Sequence, residues 1–182
     1  MNDKRLTDPA PSLPQRPRFR LTPMTEEDGR QVCGWLYPEP YDRYRWPAWE
    51  QMVRQRKEFA DPDIRKAQYL AVRDERGELA GYVQLFALDR AIRLGLGLRP
   101  DLCDRGYGKE VTLLAVREAA KRRPWAEIDL EVETWNRRAI RVYEKAGFRA
   151  QDEYERQAGH GAVRVLCMVW QGEPENSGVH VE

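Results

Sequence analysis

The sequence predicts a mixed α/β fold in which one central sheet carries helices on both faces, and three observations support it. The hydrophobic period switches repeatedly between about 3.6 and 2, giving the element order β, α, α, β, β, β, α, β, α, β, β. The 182 residues are the length of one ordinary domain. Hydrophobic residues at 41% and charged residues at 34% describe a globular chain with a heavily solvated surface, neither disordered nor fibrous.

The elements follow in order. A short strand at residues 19–22 leads to Thr25, which with Asp28 three positions on reads as a helix N-cap and acidic first turn, the helix running to about residue 35. A second helix is expected over residues 47–59, where Trp49, Met52, Val53, Arg56 and Phe59 fall near helical spacing. Residues 68–73 and 79–88 read as strands joined by the turn chemistry of Asp74, Glu75, Arg76 and Gly77. Ile92, Leu94, Leu96 and Leu98 then alternate with Arg93, Gly95, Gly97 and Arg99, so the next strand is nearly bare of side chains on one face. Glycine in such a place marks a bulge or a close backbone approach.

A helix over residues 107–123 ends at Pro124, and Ile128, Leu130 and Val132 alternate with Asp129, Glu131 and Glu133 as a long strand. Ala139, Val142, Tyr143 and Ala146 form one stripe of a helix over residues 136–146, with Gly147 at its C′ position. Residues 148–156 and 162–170 close the chain as a hairpin. Residues 1–17, with Pro9, Pro11, Pro14 and Pro17, read as a disordered N-terminal arm and residues 171–182 as a flexible tail, leaving one domain over residues 18–170.

Composition narrows the function classes. Lys and Arg number 31 against 30 Asp and Glu, so no overall field draws the chain onto nucleic acid or an anionic membrane. The basic residues are mostly arginine, which reads as composition without positional pattern. Cys33, Cys103 and Cys167 lie far apart, and His160 and His180 are the two histidines, so neither a zinc site nor a disulfide framework is expected. No apolar run approaches the ~20 residues of a membrane span, and no signal peptide is recognisable, so the expected compartment is the cytoplasm.

The chemistry concentrates in residues 94–109, LGLGLRPDLCDRGYGK, a strand that breaks at Pro100 and passes through a Gly-rich turn directly into a helix. Backbone amides in such a turn, added to the positive end of the helix dipole, suit a pyrophosphate. A dinucleotide fingerprint fails, since the third glycine position is Pro100 counted from Gly95 and Val111 counted from Gly106. A P-loop fails too, because Glu110 follows Lys109 where Ser or Thr is needed.

This segment resembles the GNAT superfamily of acyl-CoA-dependent N-acetyltransferases, whose pattern is a strand, then Gln/Arg-x-x-Gly-x-Gly/Ala, then a helix. Gly106, Tyr107 and Gly108 fill the glycine positions, while Cys103 stands at the Gln/Arg position. A second block, from Asn136 through Ala139 and Tyr143 to Gly147 and Phe148, is similar to the family's N-x-x-A-x-x-x-Y-x-x-x-G-F signature. The resemblance implies a GNAT-type α/β (α+β) fold, with a mixed, mostly antiparallel central sheet whose fourth and fifth strands splay apart. It implies acetyl-CoA as co-substrate and no metal. The cofactor contacts would fall on Leu96 and Leu98, on Cys103, Asp104, Arg105, Gly106, Tyr107, Gly108 and Lys109, and on Asn136 and Tyr143.

The same resemblance assigns the Leu98 N–H to the acetyl carbonyl and Tyr143 to protonation of the departing thiolate. A phenol of pKa ~10 and a thiol of ~8.5 are close enough for that transfer. Tyr143 as a core aromatic and Asn136 as a plain N-cap are the competing readings. For a general base, Glu131 and Glu133 come first, then Glu39 and Asp42. Cys103 has no suitably placed histidine to act as a nucleophile.

Trp35, Tyr37, Tyr41, Tyr44, Trp46 and Trp49 crowd into WLYPEPYDRYRWPAW, where the family places the loop walling its acceptor pocket. Trp35, Tyr37, Tyr41 and Tyr44 are the candidate substrate contacts. With Glu39 and Asp42 they suit a cation, and packing of a Pro-containing loop is the alternative. The expected partner is a small-molecule amine, with a homodimer by family habit. A non-catalytic acyl-CoA sensor and a protein N-terminal or lysine acetyltransferase are the alternative functions.

Overall fold

The computed structural model describes residues 18–158 and 161–172. The arm at residues 1–17, most of the tail and both histidines lie outside the described residues.

The seven strands are β1 (Arg20–Pro23), β2 (Tyr69–Arg73), β3 (Leu79–Ala87), β4 (Ala91–Leu98), β5 (Glu127–Glu133), β6 (Phe148–Ala158) and β7 (Gly161–Trp170). The helices are α1 (Glu26–Cys33), α2 (Trp49–Arg54), α3 (Pro62–Gln68), α4 (Gly108–Arg122) and α5 (Arg137–Lys145). One mixed sheet runs β1-β2-β3-β4-β5-β7-β6, antiparallel at every step except β4 against β5.

Local chemistry explains the helix ends. Thr25 and Asp28 close a capping box, the Asp28 N–H donating to Thr25 Oγ1 at 3.1 Å and the Thr25 N–H to Asp28 Oδ2 at 2.9 Å. Asn136 caps α5, and Gly147 follows that helix with φ 96°, a conformation that favours glycine. The long second helix expected over residues 47–59 is not formed. Arg56 and Glu58 take φ 48° and 50°, so α2 stops at Arg54. A further helix, α3, begins where Asp61 accepts from the Asp63 and Ile64 N–H groups and Pro62 fits the first turn.

Each face of the sheet carries a core. On one, Ile92, Leu94, Ile128, Leu130 and Val132 meet Val111, Ala115 and Ala119 of α4 and Ile140 of α5. On the other, Tyr69, Ala71 and Leu79 meet Val32, Trp35, Trp49, Met52 and Phe59 from the α1 to α3 segment. The alternation within β2 delivers one stripe to each side, Leu70 and Val72 to the first core and Tyr69 and Ala71 to the second.

The bare face of β4 is where the expected explanation changes. A Cβ on Gly97 would stand 2.2 Å from Tyr82 Cε1, and one on Gly95 would stand 3.1 Å from Gln84 Oε1. The glycines admit these side chains from the neighbouring strand, with Tyr82 opposite Gly97 and Gln84 opposite Gly95 in the register. Gly97→Ala should therefore destabilise the fold by about 1–3 kcal/mol through overpacking. Denaturant melts of Gly97→Ala, Tyr82→Leu and the double variant should give non-additive losses, and additivity would show that the ring is not what the glycine accommodates.

Candidate active site

β4 and β5 pair from Ala91 with Glu127 to Leu94 with Leu130, and then part. Arg93 sits at the fork. Its Nε and Nη2 donate to the Asp129 carboxylate at 3.0 and 2.6 Å, and its Nη1 donates to Glu131. Glu131 is also held by Arg156 Nε at 3.0 Å and by the Tyr154 hydroxyl at 2.6 Å.

Past the fork, β4 keeps β3 on one side only. The Arg99 N–H donates to the Ala80 carbonyl at 2.9 Å, so strand alternation turns the backbone groups of Leu96 and Leu98 toward the gap. The Tyr37 hydroxyl donates to the Leu98 carbonyl at 2.7 Å. A cavity of about 700 Å³ fills the opening, lined by Leu96, Leu98, Gly108, Val142 and Tyr143 toward α4 and α5, and by Tyr37, Arg45, Trp46, Lys57 and Tyr82 toward the other face.

The turn before α4 is shaped by Asp104 at φ 60° and Gly106 at φ 80°. No side chain caps α4, so the amides of its first turn face the cavity mouth with the positive end of the helix dipole behind them. Gly108 brings the two helices together, since a Cβ there would lie 2.9 Å from Val142 Cγ1. Arg138 Nη1 donates to Asp104 at 2.8 Å and ties α5 to this turn.

Tyr143 points its phenol into the cavity and packs edge-on against Phe148, with ring centroids 6.1 Å apart. Its hydroxyl makes no hydrogen bond among the described residues, and burial pushes its pKa up, so it is protonated at neutral pH. The Asn136 side chain is held at both its oxygen and its nitrogen. Its Oδ1 accepts from the Ala139 N–H at 3.1 Å and its Nδ2 donates to the Tyr44 hydroxyl at 3.2 Å.

The cavity brings together Leu96, Leu98, Cys103, Asp104, Gly106, Tyr107, Gly108, Glu131, Glu133, Asn136, Tyr143, Tyr37, Tyr41 and Tyr44 from the sequence reading. It does not bring Trp35, Arg105 or Lys109 to its lining. Trp35 is buried in the core, stacked on Tyr82 at 6.2 Å, because its indole fills the space between α1 and the sheet. Glu39 and Asp42 also stay outside the lining. Glu133 is buried and held by Arg43 Nη1 at 2.9 Å and by the Trp135 indole N–H, so neither it nor Glu131 is an unengaged base. Cys103 Sγ lies 3.8 Å from the Arg99 carbonyl, and burial pushes its thiol up, away from thiolate character.

Sequence reasoning missed Tyr82, Arg45, Lys57, Arg43 and Trp135. Trp135 stacks on Tyr44 at 6.0 Å, and its position beside Asn136 in the second block was the available signal. Among the described residues, no group of three or more His, Cys, Asp or Glu is placed to hold a metal ion, and no helix is long and apolar enough to cross a membrane.

The sequence profile of the acetyltransferase (GNAT) domain matches residues 18–149. The chain belongs to the GNAT acetyltransferase family. This GNAT acetyltransferase is accordingly an acyltransferase, and its splayed mixed sheet is the family fold. Similar solved structures include a chimera of spermidine N-acetyltransferase SpeG from Vibrio cholerae and hSSAT, at 18% identity and TM-score 0.66 over 84% of this chain and 95% of that one. A GNAT-family acetyltransferase from Bacillus anthracis is 16% identical with TM-score 0.67, over 84% and 93% of the two chains. A dodecameric spermidine N-acetyltransferase from Vibrio cholerae is 16% identical with TM-score 0.64, over 84% and 92%. No curated protein matches the sequence.

The tyrosines of the cavity give this acetyltransferase a defined alkaline limit. Burial pushes the Tyr44 and Tyr82 phenols up to about 12, and those of Tyr37 and Tyr143 up as well. Unfolded phenols titrate near ~10, so above that pH unfolding releases protons the folded state retains. Their contribution to stability is complete below pH ~10 and is lost as pH rises through about 12. Melting temperature followed from pH 8 to 12 should fall across that window, and a melting temperature that holds constant from pH 10 to 12 would contradict it.

Proposed function

We propose that this acyltransferase moves an acetyl group from acetyl-CoA to the primary amine of a small molecule, by direct attack in a ternary complex. The reading is carried by one observation: the gap beside β4 puts the backbone of Leu96 and Leu98, the Tyr143 hydroxyl and the uncapped start of α4 around a single cavity. The amides of residues 103–109 would take the pyrophosphate, with Arg105 and Lys109 beside them, and Leu96 and Leu98 would pair with the pantetheine. A 700 Å³ cavity is of the size that encloses small ligands. That two of the similar structures are spermidine N-acetyltransferases supports a small amine as the acceptor class.

The balance is simple. The amine nitrogen bonds to the thioester carbonyl carbon, the C–S bond breaks, the thiolate takes the Tyr143 proton, and the phenolate, which burial disfavours, takes a proton back from water. The Leu98 N–H donates to the carbonyl oxygen while it carries negative charge, a contact worth ~2.7–4 kcal/mol in comparable sites. The amine proton leaves to water, since Glu131 and Glu133 are committed to arginines.

Tyr143→Phe should lower kcat by ~10²-fold or more with little change in the KM for acetyl-CoA. Full kcat in this variant, under conditions where chemistry limits, would remove the acid role. In a thermal-shift titration, acetyl-CoA at 100 times its Kd should add ~2.7 kcal/mol to stability. NADH and ATP should not; equal stabilisation by all three would point to generic anion binding, and none by acetyl-CoA would refute the co-substrate.

A further inference from the structure

The charge on the cavity wall points away from a polycationic acceptor. Among the described residues, three carboxylates line it, and each is already met by an arginine: Asp104 by Arg138 at 2.8 Å, Glu131 by Arg156 at 3.0 Å and Glu133 by Arg43 at 2.9 Å. Two rings, Tyr41 in the lining and Trp135 behind it, are covered by the same arginines. Arg138 lies 3.7 Å over the Tyr41 ring, and Arg43 lies 5.1 Å over that of Trp135. A substrate cation would have to displace an arginine to reach any carboxylate of this wall.

Among the described residues, two lining cations remain without an acidic partner. Arg45 gives one hydrogen bond, from Nη2 to the Tyr37 carbonyl at 2.8 Å, and Lys57 makes no ion pair among the described residues. Both belong to the segment between α1 and α3 and, with Trp46 and Tyr82, line the cavity. The guanidinium therefore keeps donors free, in the fork geometry that matches an oxyanion. Lys57 adds a second positive charge to the same lining.

We infer that the acceptor carries, besides its amine, a carboxylate or phosphate that Arg45 and Lys57 hold, so that the molecule is oriented with its amine toward the gap at Leu98. This inference rests on the acetyl-transfer reading above and goes beyond it by naming the acceptor's chemical class. A terminal oxyanion also explains a wall in which every carboxylate is neutralised, since an unpaired one would repel it.

The test is an acceptor panel with acetyl-CoA, following thiol release: β-alanine against β-alaninamide, O-phosphoethanolamine against ethanolamine, and spermidine, each compared per unprotonated amine. The anionic member of at least one pair should be favoured at least tenfold in kcat/KM, and which pair responds separates carboxylate from phosphate. That preference should shrink as salt is raised, because both cations are exposed. In Arg45→Gln with Lys57→Gln it should fall toward parity. Preference for spermidine or the neutral amines, or an anion preference unchanged in the double variant, would overturn the inference while leaving acetyl transfer intact. Absence of stabilisation by acetyl-CoA, together with no thiol release from any amine, would instead bring down the acetyl-transfer reading and this inference with it.

Discussion

The parting of β4 from β5 is the constraint on which the rest of the molecule depends. Two parallel strands joined through four residue pairs and then separated leave a row of backbone groups without a ladder partner, which is costly unless something else meets them. The Tyr37 hydroxyl meets the Leu98 carbonyl, and Arg93 bolts the strands together just before they diverge. The start of α4 then faces the opening because β4 breaks at Pro100 and the chain has only a short turn in which to reverse. Gly108 lets α5 close against α4, which carries Tyr143 to the same opening.

Arginine organises the electrostatics around that opening. The sequence reading took the abundance of arginine as composition, whereas Arg43, Arg93, Arg138 and Arg156 each occupy a definite place against a carboxylate, and two of them also cover a ring. A planar guanidinium can do both at once, donating from its edge while stacking by its face, which a lysine cannot. Glu133 and Asp129 are consequently buried with arginine partners, Arg43 and Arg93.

What the sequence showed and what it hid divide along range. Contacts within a few residues were legible: the capping box at Thr25, the cap at Asn136, the glycine after α5 and the strand alternation of β4 and β5 all follow from local spacing. The Asp61–Pro62 start of α3 was equally local, yet the sequence reading passed from a helix ending at Phe59 straight to the strand at Gln68 and left it out. The reason for Gly95 and Gly97 was not legible, because it lies in the register of β3 against β4. The same holds for Trp35, whose place in the aromatic cluster said nothing of which way its ring turns, and for Arg45 and Lys57, which twelve positions of sequence separate and the fold sets along one cavity.

The Tyr82 ring lying across Gly97 also limits how this cavity can diverge. Any side chain added at position 97 meets the ring before it reaches open space, so that wall cannot be thickened from β4 by one substitution. A smaller residue at position 82 opens room directly over the glycine backbone and costs the packing of one ring and the hydrogen bond its hydroxyl accepts from the Trp46 indole N–H. Change at this end of the cavity therefore runs in one direction, toward enlargement first, and a new side chain at position 97 is admissible only in a descendant that has already given up the tyrosine.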